Sequence, residues 1–207
     1  MMSGRRKKVI FIGGTPGVGK TSISGYLAKA LGIDLVLSGD YLREFLRGSD
    51  PERFRNLSVS VYHSWKLYGE RTRENLLKGF MDQAVVMNRG FESIISRSVS
   101  NGEPLIVETL YYVPNFLETF FHSLVTFYLY IGDESTHRLH LNERTRFTHP
   151  DSPGERLSAH LDEYREIMNT SMDLCNEHGI KTFDTSDFIS ARDRILIYVK
   201  QEFGNEH

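Results

Sequence analysis

Residues 8–22 read Lys-Val-Ile-Phe-Ile-Gly-Gly-Thr-Pro-Gly-Val-Gly-Lys-Thr-Ser, and this stretch decides the fold. Its β-branched and aromatic start predicts a strand, and the pattern Gly-x-x-x-x-Gly-Lys-Thr from Gly14 to Thr21 has the spacing of a phosphate-binding P-loop. Apolar residues then recur at Ile23, Leu27 and Leu31, which predicts a helix. The alternative is a glycine-rich turn that contains a lysine by chance. Such a turn would match the spacing, but it would require neither the strand before the loop nor the helix after it. The stretch therefore predicts a nucleotide-binding loop between a strand and a helix.

The P-loop, residues 14–21, is expected to bind the phosphates of a nucleotide. Backbone N–H groups of such a loop point at phosphate oxygens, and the positive end of the next helix adds to this attraction. We expect Lys20 to reach the β- and γ-phosphates and the Thr21 hydroxyl to bind Mg²⁺. The residues predicted to bind the nucleotide are Gly14, Thr15, Pro16, Gly17, Val18, Gly19, Lys20, Thr21 and Ser22.

The composition is typical of one soluble α/β domain. The chain has 207 residues, 40% of them hydrophobic, and its formal net charge of −2 does not favour binding to nucleic acid. Its single cysteine, Cys175, excludes an internal disulfide and fits a reducing compartment. The longest apolar run, at residues 124–131, is too short to span a bilayer, and no secretory signal is recognised. We therefore expect a cytoplasmic protein without a membrane partner, with a homo-oligomer as one alternative for its oligomeric state.

Strand and helix patterns alternate along the chain, which predicts an α/β fold with a five-stranded parallel sheet and helices on both faces. The predicted strands are 8–12, 34–37, 104–108, 124–131 and 180–183. The predicted helices are 20–31, 38–47, 70–100, 134–146, 155–178 and 187–203. We expect residues 1–207 to form a single domain, with a substrate-binding helical insertion at about 41–100 and a helical lid at about 133–160.

The sequence Ser38-Gly39-Asp40 follows the second predicted strand, at the sheet edge where open α/β folds bind ligands. Asp40 is therefore a candidate catalytic group that accepts or orients the proton of a hydroxyl acceptor. Arg43 lies on the same helix face and is a candidate for binding an anionic substrate. The structural alternatives are an acid that complements the helix dipole and an arginine in a salt bridge.

Glu108 ends the third predicted strand, which reads Leu-Ile-Val-Glu. A carboxylate at the end of an apolar strand is costly unless it is paired or used. We therefore predict that Glu108 supports Mg²⁺ together with Thr21 and contributes to the substrate site. Tyr111 follows on the next loop, where it is a candidate wall of the acceptor pocket, although packing is an equally good account of a tyrosine.

Arginines cluster on the helix after the fourth predicted strand, immediately before the break Thr-His-Pro-Asp-Ser-Pro-Gly at residues 148–154. A mobile lid at this position would bring arginines onto the phosphates. We therefore predict Arg144 and Arg146 as catalytic residues, against the alternative of a solvated basic face.

Two classes of P-loop protein are excluded by their missing motifs. A GTPase should carry Asn-Lys-x-Asp, and a transport ATPase should carry Leu-Ser-Gly-Gly-Gln; neither motif is present. A small-molecule kinase remains the favoured class. A polynucleotide end kinase is the alternative, which the near-neutral charge and the lack of a long basic stripe disfavour.

Several stretches resemble the archaeal 2-phosphoglycerate-kinase-like proteins, in the same order along most of residues 8–185. They are residues 12–21, Ser-Gly-Asp-Tyr-Leu-Arg-Glu-Phe-Leu-Arg at 38–47, Gly-Phe-Met-Asp-Gln at 79–83, Ile-Val-Glu-Thr-Leu-Tyr-Tyr-Val-Pro at 106–114, Asp-Glu-Ser-Thr-His at 133–137 and the segment 160–168. The resemblance implies an adenylate-kinase-like core that uses ATP with Mg²⁺. It also implies phosphoryl transfer to the hydroxyl of a small phosphorylated carboxylic acid.

The chain departs from this family beside the expected acceptor pocket. Where the family tends to read Glu-Gly-Val-His, this chain reads Glu-Thr-Leu-Tyr, so that Thr109 and Tyr111 replace a small residue and a histidine. Both changes predict a bulkier, less basic site, and we include both residues among the substrate-binding candidates. A related activity in this group phosphorylates mevalonate 3-phosphate, which we expect as the acceptor, with 2-phosphoglycerate as the alternative.

Overall fold

The computed structural model describes residues 8–143 and 154–204. Five strands form one sheet: β1 (Val9–Gly14), β2 (Val36–Ser38), β3 (Leu105–Thr109), β4 (Val125–Tyr130) and β5 (Lys181–Asp184). Their order is β2-β3-β1-β4-β5, and every pairing is parallel. The predicted five-stranded parallel sheet is therefore confirmed, with strand ends shifted by one or two residues.

Seven α-helices accompany the sheet in the described part of the chain. They are α1 (Lys20–Leu31), α2 (Gly39–Ser49), α3 (Arg73–Asn101), α4 (Glu134–Glu143), α5 (Gly154–Ser158), α6 (Leu161–Glu177) and α7 (Phe188–Gly204). Helices α1 and α7 contact each other, and so do α3 and α6, which places one pair on each face of the sheet. Within residues 8–143 and 154–204, we find no helix with the length and apolar character that a bilayer crossing requires.

The single helix predicted at 155–178 is wrong, because the chain forms two helices there. The short α5 packs against α4, whereas α6 packs against α3, β4 and β5. The start of α5 lies so close to α4 that a Cβ on Gly154 would come within 2.4 Å of the Leu141 carbonyl oxygen. The chain therefore changes direction at residues 159–160, and this packing overrides the continuous helical periodicity.

Local contacts define several helix ends. The Ser38 hydroxyl caps α2 by accepting a hydrogen bond from the Asp40 N–H at 3.3 Å. Gly102 ends α3 in the left-handed conformation, with φ of 69°. The Asp133 carboxylate accepts from the Thr136 N–H at 2.7 Å at the start of α4. Cys175 is buried, and its burial raises the thiol pKa to about 12.

The strand order fixes where a ligand crevice forms. Strands β3 and β2 lie on one side of β1, and β4 and β5 lie on the other, so the connections from the carboxyl ends of β1 and β4 diverge. Glu108 pairs with both Ile12 of β1 and Ser38 of β2. The ends of these three strands are therefore level, and the segments that follow them meet at one edge.

The segment between α2 and α3, for which no regular structure is predicted, contains two short 3₁₀ helices, Arg55–Leu57 and Val61–Leu67. The second packs closely on α3, and its Ser64 hydroxyl donates to the Leu76 carbonyl at 2.9 Å. Gly79 makes this approach feasible, since a Cβ there would lie 2.5 Å from the Ser64 carbonyl oxygen. The absence of a side chain at Gly79 thus brings the 61–67 segment onto α3.

We predict that Gly79→Ala lowers the free energy of unfolding by about 1–3 kcal/mol, because the added methyl group meets main-chain atoms that cannot move aside. The matched control is Gly25→Ala in α1, where nothing lies within 4 Å of the added Cβ. This control should be neutral or stabilising by about 1 kcal/mol, because alanine is the better helix former. Urea unfolding of the two variants checks the difference, and equal stabilities would contradict the close contact of Gly79 with Ser64.

Candidate active site

An open cleft of about 870 Å³ lies at the carboxyl edge of the sheet. The predicted site residues that line it are Pro16, Gly17, Gly19, Lys20, Thr21, Ser22, Asp40, Arg43, Glu108 and Tyr111. Four others, Gly14, Thr15, Val18 and Thr109, are buried beside these residues in the chain without lining the cleft. Arg144 and Arg146 lie outside the residues that the structure describes.

The P-loop wraps around the side chain of its own lysine. The Lys20 ammonium donates to the Thr15 carbonyl oxygen at 3.1 Å. Gly17 and Gly19 have φ of 89° and 84°, which disfavour any residue with a Cβ. At Gly17 a Cβ would also approach the Leu141 side chain to 3.0 Å. The glycine spacing is therefore required both by the loop conformation and by its packing against α4.

Thr21 and Glu108 meet across the β1–β3 pair. The Thr21 hydroxyl donates to the Glu108 carboxylate at 3.3 Å, although the two residues are 87 positions apart. Glu108 is only 5% exposed. A hydroxyl and a buried carboxylate oxygen side by side are the hard oxygen ligands that Mg²⁺ prefers. The donor set therefore fits a magnesium ion beside the P-loop.

Close packing places Asp40 beside this pair. A Cβ on Gly39 would come within 2.6 Å of the Thr109 hydroxyl oxygen, so the first turn of α2 sits directly on the end of β3. The same Thr109 oxygen accepts the Tyr111 N–H at 3.0 Å. Asp40 itself is exposed to the cleft on the first turn of α2. Thr109 thus supports the turn that carries Asp40.

Arg43 lines the cleft, and its guanidinium is bound by other groups of the protein. Its guanidinium donates to the carbonyl oxygens of Leu57 at 2.5 Å and Val59 at 2.9 Å, and it pairs with Glu44. The side chain is only 16% exposed. Arg47 pairs with the same glutamate at the surface. Arg43 therefore fastens the segment before residue 60 to α2, and its role toward substrate stays a prediction.

Tyr111 is fully buried, and its hydroxyl donates to the Gln83 side-chain oxygen at 3.2 Å. The Gln83 amide in turn donates to the carbonyl oxygens of Asn56 at 2.8 Å and Val59 at 3.1 Å. Burial raises the pKa of Tyr111 well above its ordinary value, so the phenol stays neutral. The role of Gln83 could not be predicted from the sequence, because its helical position carries no signal for a buried amide.

His137 is a second functional residue that local sequence patterns do not indicate. It lies on α4, is fully buried, and its Nε2 is 2.8 Å from the Pro16 carbonyl oxygen. Because a carbonyl only accepts hydrogen bonds, Nε2 carries the proton and donates it. Burial lowers the pKa of His137, so the ring is neutral at physiological pH. This contact ties the P-loop to the helix that precedes residues 144–153.

The sequence matches the family model described as AAA domain over residues 10–145. A mevalonate-3-phosphate 5-kinase from Thermoplasma acidophilum is 48% identical over 190 residues, which cover 91% of this chain and 94% of that protein. A 2-phosphoglycerate kinase from Methanopyrus kandleri is 28% identical over 94% of this chain, which spans 61% of that protein's length.

Solved structures share the fold at lower identity. A gluconokinase from Sinorhizobium meliloti 1021 has a TM-score of 0.56 and 20% identity, and it covers 98% of this chain and 97% of its own. A shikimate kinase from Acinetobacter baumannii, solved in complex with shikimate, has a TM-score of 0.53 and 17% identity, with 95% of this chain and 93% of its own covered.

The parallel sheet, the P-loop and the cleft define a kinase of the P-loop class, a phosphotransferase with a hydroxyl acceptor. Within that class, the chain belongs to the AAA domain family, and it is related over nearly its full length to the mevalonate-3-phosphate 5-kinase of Thermoplasma acidophilum. The predicted small-molecule kinase class is therefore confirmed.

We predict that His137 makes the folded state sensitive to acid. Its pKa is lowered from the ordinary value of 6.5, so below that pH the unfolded chain binds more protons and the free energy of unfolding falls. His137→Gln keeps an amide donor for Pro16 but does not titrate. The loss of stability between about pH 7.5 and pH 5.5 should therefore be smaller in this variant.

Urea unfolding at both pH values measures this difference. The control is His122→Gln, which changes an exposed histidine and should keep the pH dependence of the unchanged protein. An equal loss of stability in His137→Gln and the unchanged protein would remove His137 as the acid-sensitive group.

Proposed function

We propose that this kinase transfers the γ-phosphate of ATP to the 5-hydroxyl of mevalonate 3-phosphate. The observation that carries the proposal is 48% identity to a mevalonate-3-phosphate 5-kinase over nearly the full length of both chains. Identity to the 2-phosphoglycerate kinases is 28%, over about three fifths of their length. This difference makes 2-phosphoglycerate the second candidate acceptor.

In this proposal the P-loop binds the phosphates of ATP, and Lys20 leaves the Thr15 carbonyl to neutralise the β- and γ-phosphates. Thr21 and Glu108 would hold Mg²⁺, which when bound offsets the negative charge of the phosphates. His137 keeps the loop in place through Pro16. A preorganised positive site of this kind stabilises the charge that develops on the transferred group.

Asp40 is proposed to orient the acceptor hydroxyl and to take its proton during transfer. Its position on the first turn of α2 puts its carboxylate in the same cleft as Lys20 and Glu108. A carboxylate within reach of the attacking hydroxyl can accept its proton. We therefore assign Asp40 the role of general base.

The anions of the acceptor need cations near Asp40. We propose Arg43 for this role at the α2 side of the cleft, because a guanidinium that already binds two carbonyls retains further donors. Arg144 and Arg146, which lie outside the described residues, are proposed to act on the transferring phosphoryl group. In this proposal residues 41–100 bind the acceptor and residues 133–160 form the lid of a single domain.

Purified protein with ATP and Mg²⁺ should release ADP with mevalonate 3-phosphate and much less with mevalonate, 2-phosphoglycerate, shikimate or nucleoside monophosphates. A coupled assay of ADP release across this panel measures the preference. Turnover with 2-phosphoglycerate alone would replace the proposed acceptor by the second candidate. Salt-sensitive binding of single-stranded RNA, without turnover of any small acceptor, would instead favour a polynucleotide end kinase.

Asp40→Asn should lower kcat by about 10²–10⁴-fold if Asp40 is the general base. The matched control is Asp34→Asn, the same change at an exposed position outside the cleft, which should leave kcat unaltered. A loss below about tenfold in Asp40→Asn would reduce its role to orienting the hydroxyl, since the loose transition state of phosphoryl transfer demands little proton transfer.

Lys20→Ala should abolish measurable turnover, because the charge that faces the transferring phosphate is lost. Its control is Lys29→Ala, an exposed lysine in the last turn of the same helix. Both variants should unfold close to the midpoint of the unchanged protein. Full turnover in Lys20→Ala would exclude this lysine from the mechanism.

A further inference from the structure

One part of the cleft lining is apolar and comes from segments far apart in the chain. We call it the apolar wall, and it consists of Val61, Tyr62, Leu110, Leu157 and Tyr164. Each of these side chains lines the cleft and is at most 9% exposed. We infer that this wall binds the methyl-bearing carbon skeleton of the acceptor and thereby selects a branched substrate. The inference rests on the proposed function and adds a basis for specificity to it.

The apolar wall lies on the side of the cleft where the acceptor is proposed to bind. Leu110 is two residues after Glu108, at the end of the strand that pairs with β2. Val61 is two residues after Val59, whose carbonyl Arg43 holds at 2.9 Å. Chain continuity therefore joins the wall to the Asp40 and Arg43 side of the cleft.

The aromatic part of the wall is held in place before any ligand binds. The Tyr62 ring stacks on His160, with ring centroids 4.1 Å apart and an interplanar angle of 16°. It also meets the Tyr164 ring edge-on, at 5.7 Å and 74°. Such contacts leave a tyrosine little rotamer freedom, so the wall presents one shape to a ligand.

An ion pair between an exposed arginine and a buried glutamate holds the helix that carries Tyr164. The Glu163 carboxylate, 6% exposed, lies 2.5 Å from the Arg71 guanidinium in the segment before α3. Only the glutamate side of the pair is buried, so loss of the arginine would leave a buried carboxylate without its cation. The pair thus joins the start of α6 to the chain four residues after the 61–67 segment, whose Tyr62 contacts Tyr164 directly.

The two candidate acceptors carry the same charged groups but differ in their carbon skeletons. Both carry a carboxylate, a phosphate and a primary hydroxyl. Every carbon of 2-phosphoglycerate bears one of these groups, whereas mevalonate 3-phosphate also has a methyl and two methylene groups with no polar substituent. Burying such groups against an apolar wall contributes favourable binding free energy. A fully substituted three-carbon acid offers little apolar surface for this contact.

The decisive pair of substrates is mevalonate 3-phosphate and its analogue without the 3-methyl group, 3,5-dihydroxypentanoate 3-phosphate. The unchanged protein should prefer the methylated acceptor by about 10–200-fold in kcat/KM, the range that one carbon supplies in an apolar pocket. Leu110→Ala and Val61→Thr should reduce this preference to about threefold or less, because the first removes wall surface and the second makes it polar at nearly constant volume.

The ratio of the two kcat/KM values is the readout because a merely structural defect lowers both values together. The matched control is Val86→Thr in α3, a partly buried valine that does not line the cleft, and it should keep the ratio of the unchanged protein. Val61→Thr keeps the test valid if Leu110→Ala fails to fold.

The outcomes separate this inference from the proposed function. Turnover of mevalonate 3-phosphate without preference for the methyl group would overturn the inference and leave the proposed function standing. The same result holds if both wall variants keep the preference of the unchanged protein. Absence of turnover with either acceptor would overturn the proposed function and the inference with it.

Discussion

The parallel pairing of β1 with β3 is the constraint on which the rest of the site depends. It sets Ile12 opposite Glu108 and so brings the P-loop level with the carboxylate at the end of β3. The Thr21 hydroxyl then reaches Glu108 at 3.3 Å. Every strand residue from Val9 to Ile12 is fully buried, so a slip of register would expose the core and separate the two oxygens.

Around this centre, the α2 side of the cleft is assembled by buried polar contacts to main-chain carbonyls. Arg43 and Gln83 both donate to Val59, and Tyr111 donates to Gln83. The segment before residue 60 has little regular structure, so these bonds replace the ladder that a strand or helix would supply. Arg43 therefore has a structural role that any binding role must share.

The nucleotide side is held differently, by glycine geometry and one neutral histidine. Close packing of Gly17 on Leu141 and the bond from His137 to Pro16 both tie the P-loop to α4. The P-loop and α4, which precedes the proposed lid residues 144–153, therefore form one packed unit. Burial keeps His137 neutral, so this bond involves no buried charge.

Local patterns in the sequence determined the strands, the P-loop and helix boundaries such as those of 20–31, because these depend on residues close together in the chain. Glu108 could also be found, since a carboxylate that ends an apolar strand stands out. The break of the predicted 155–178 helix was decided only by packing against two different partners. The same holds for the roles of Gln83 and His137, whose acceptors lie 24 and 121 residues away, at separations that local periodicity does not encode.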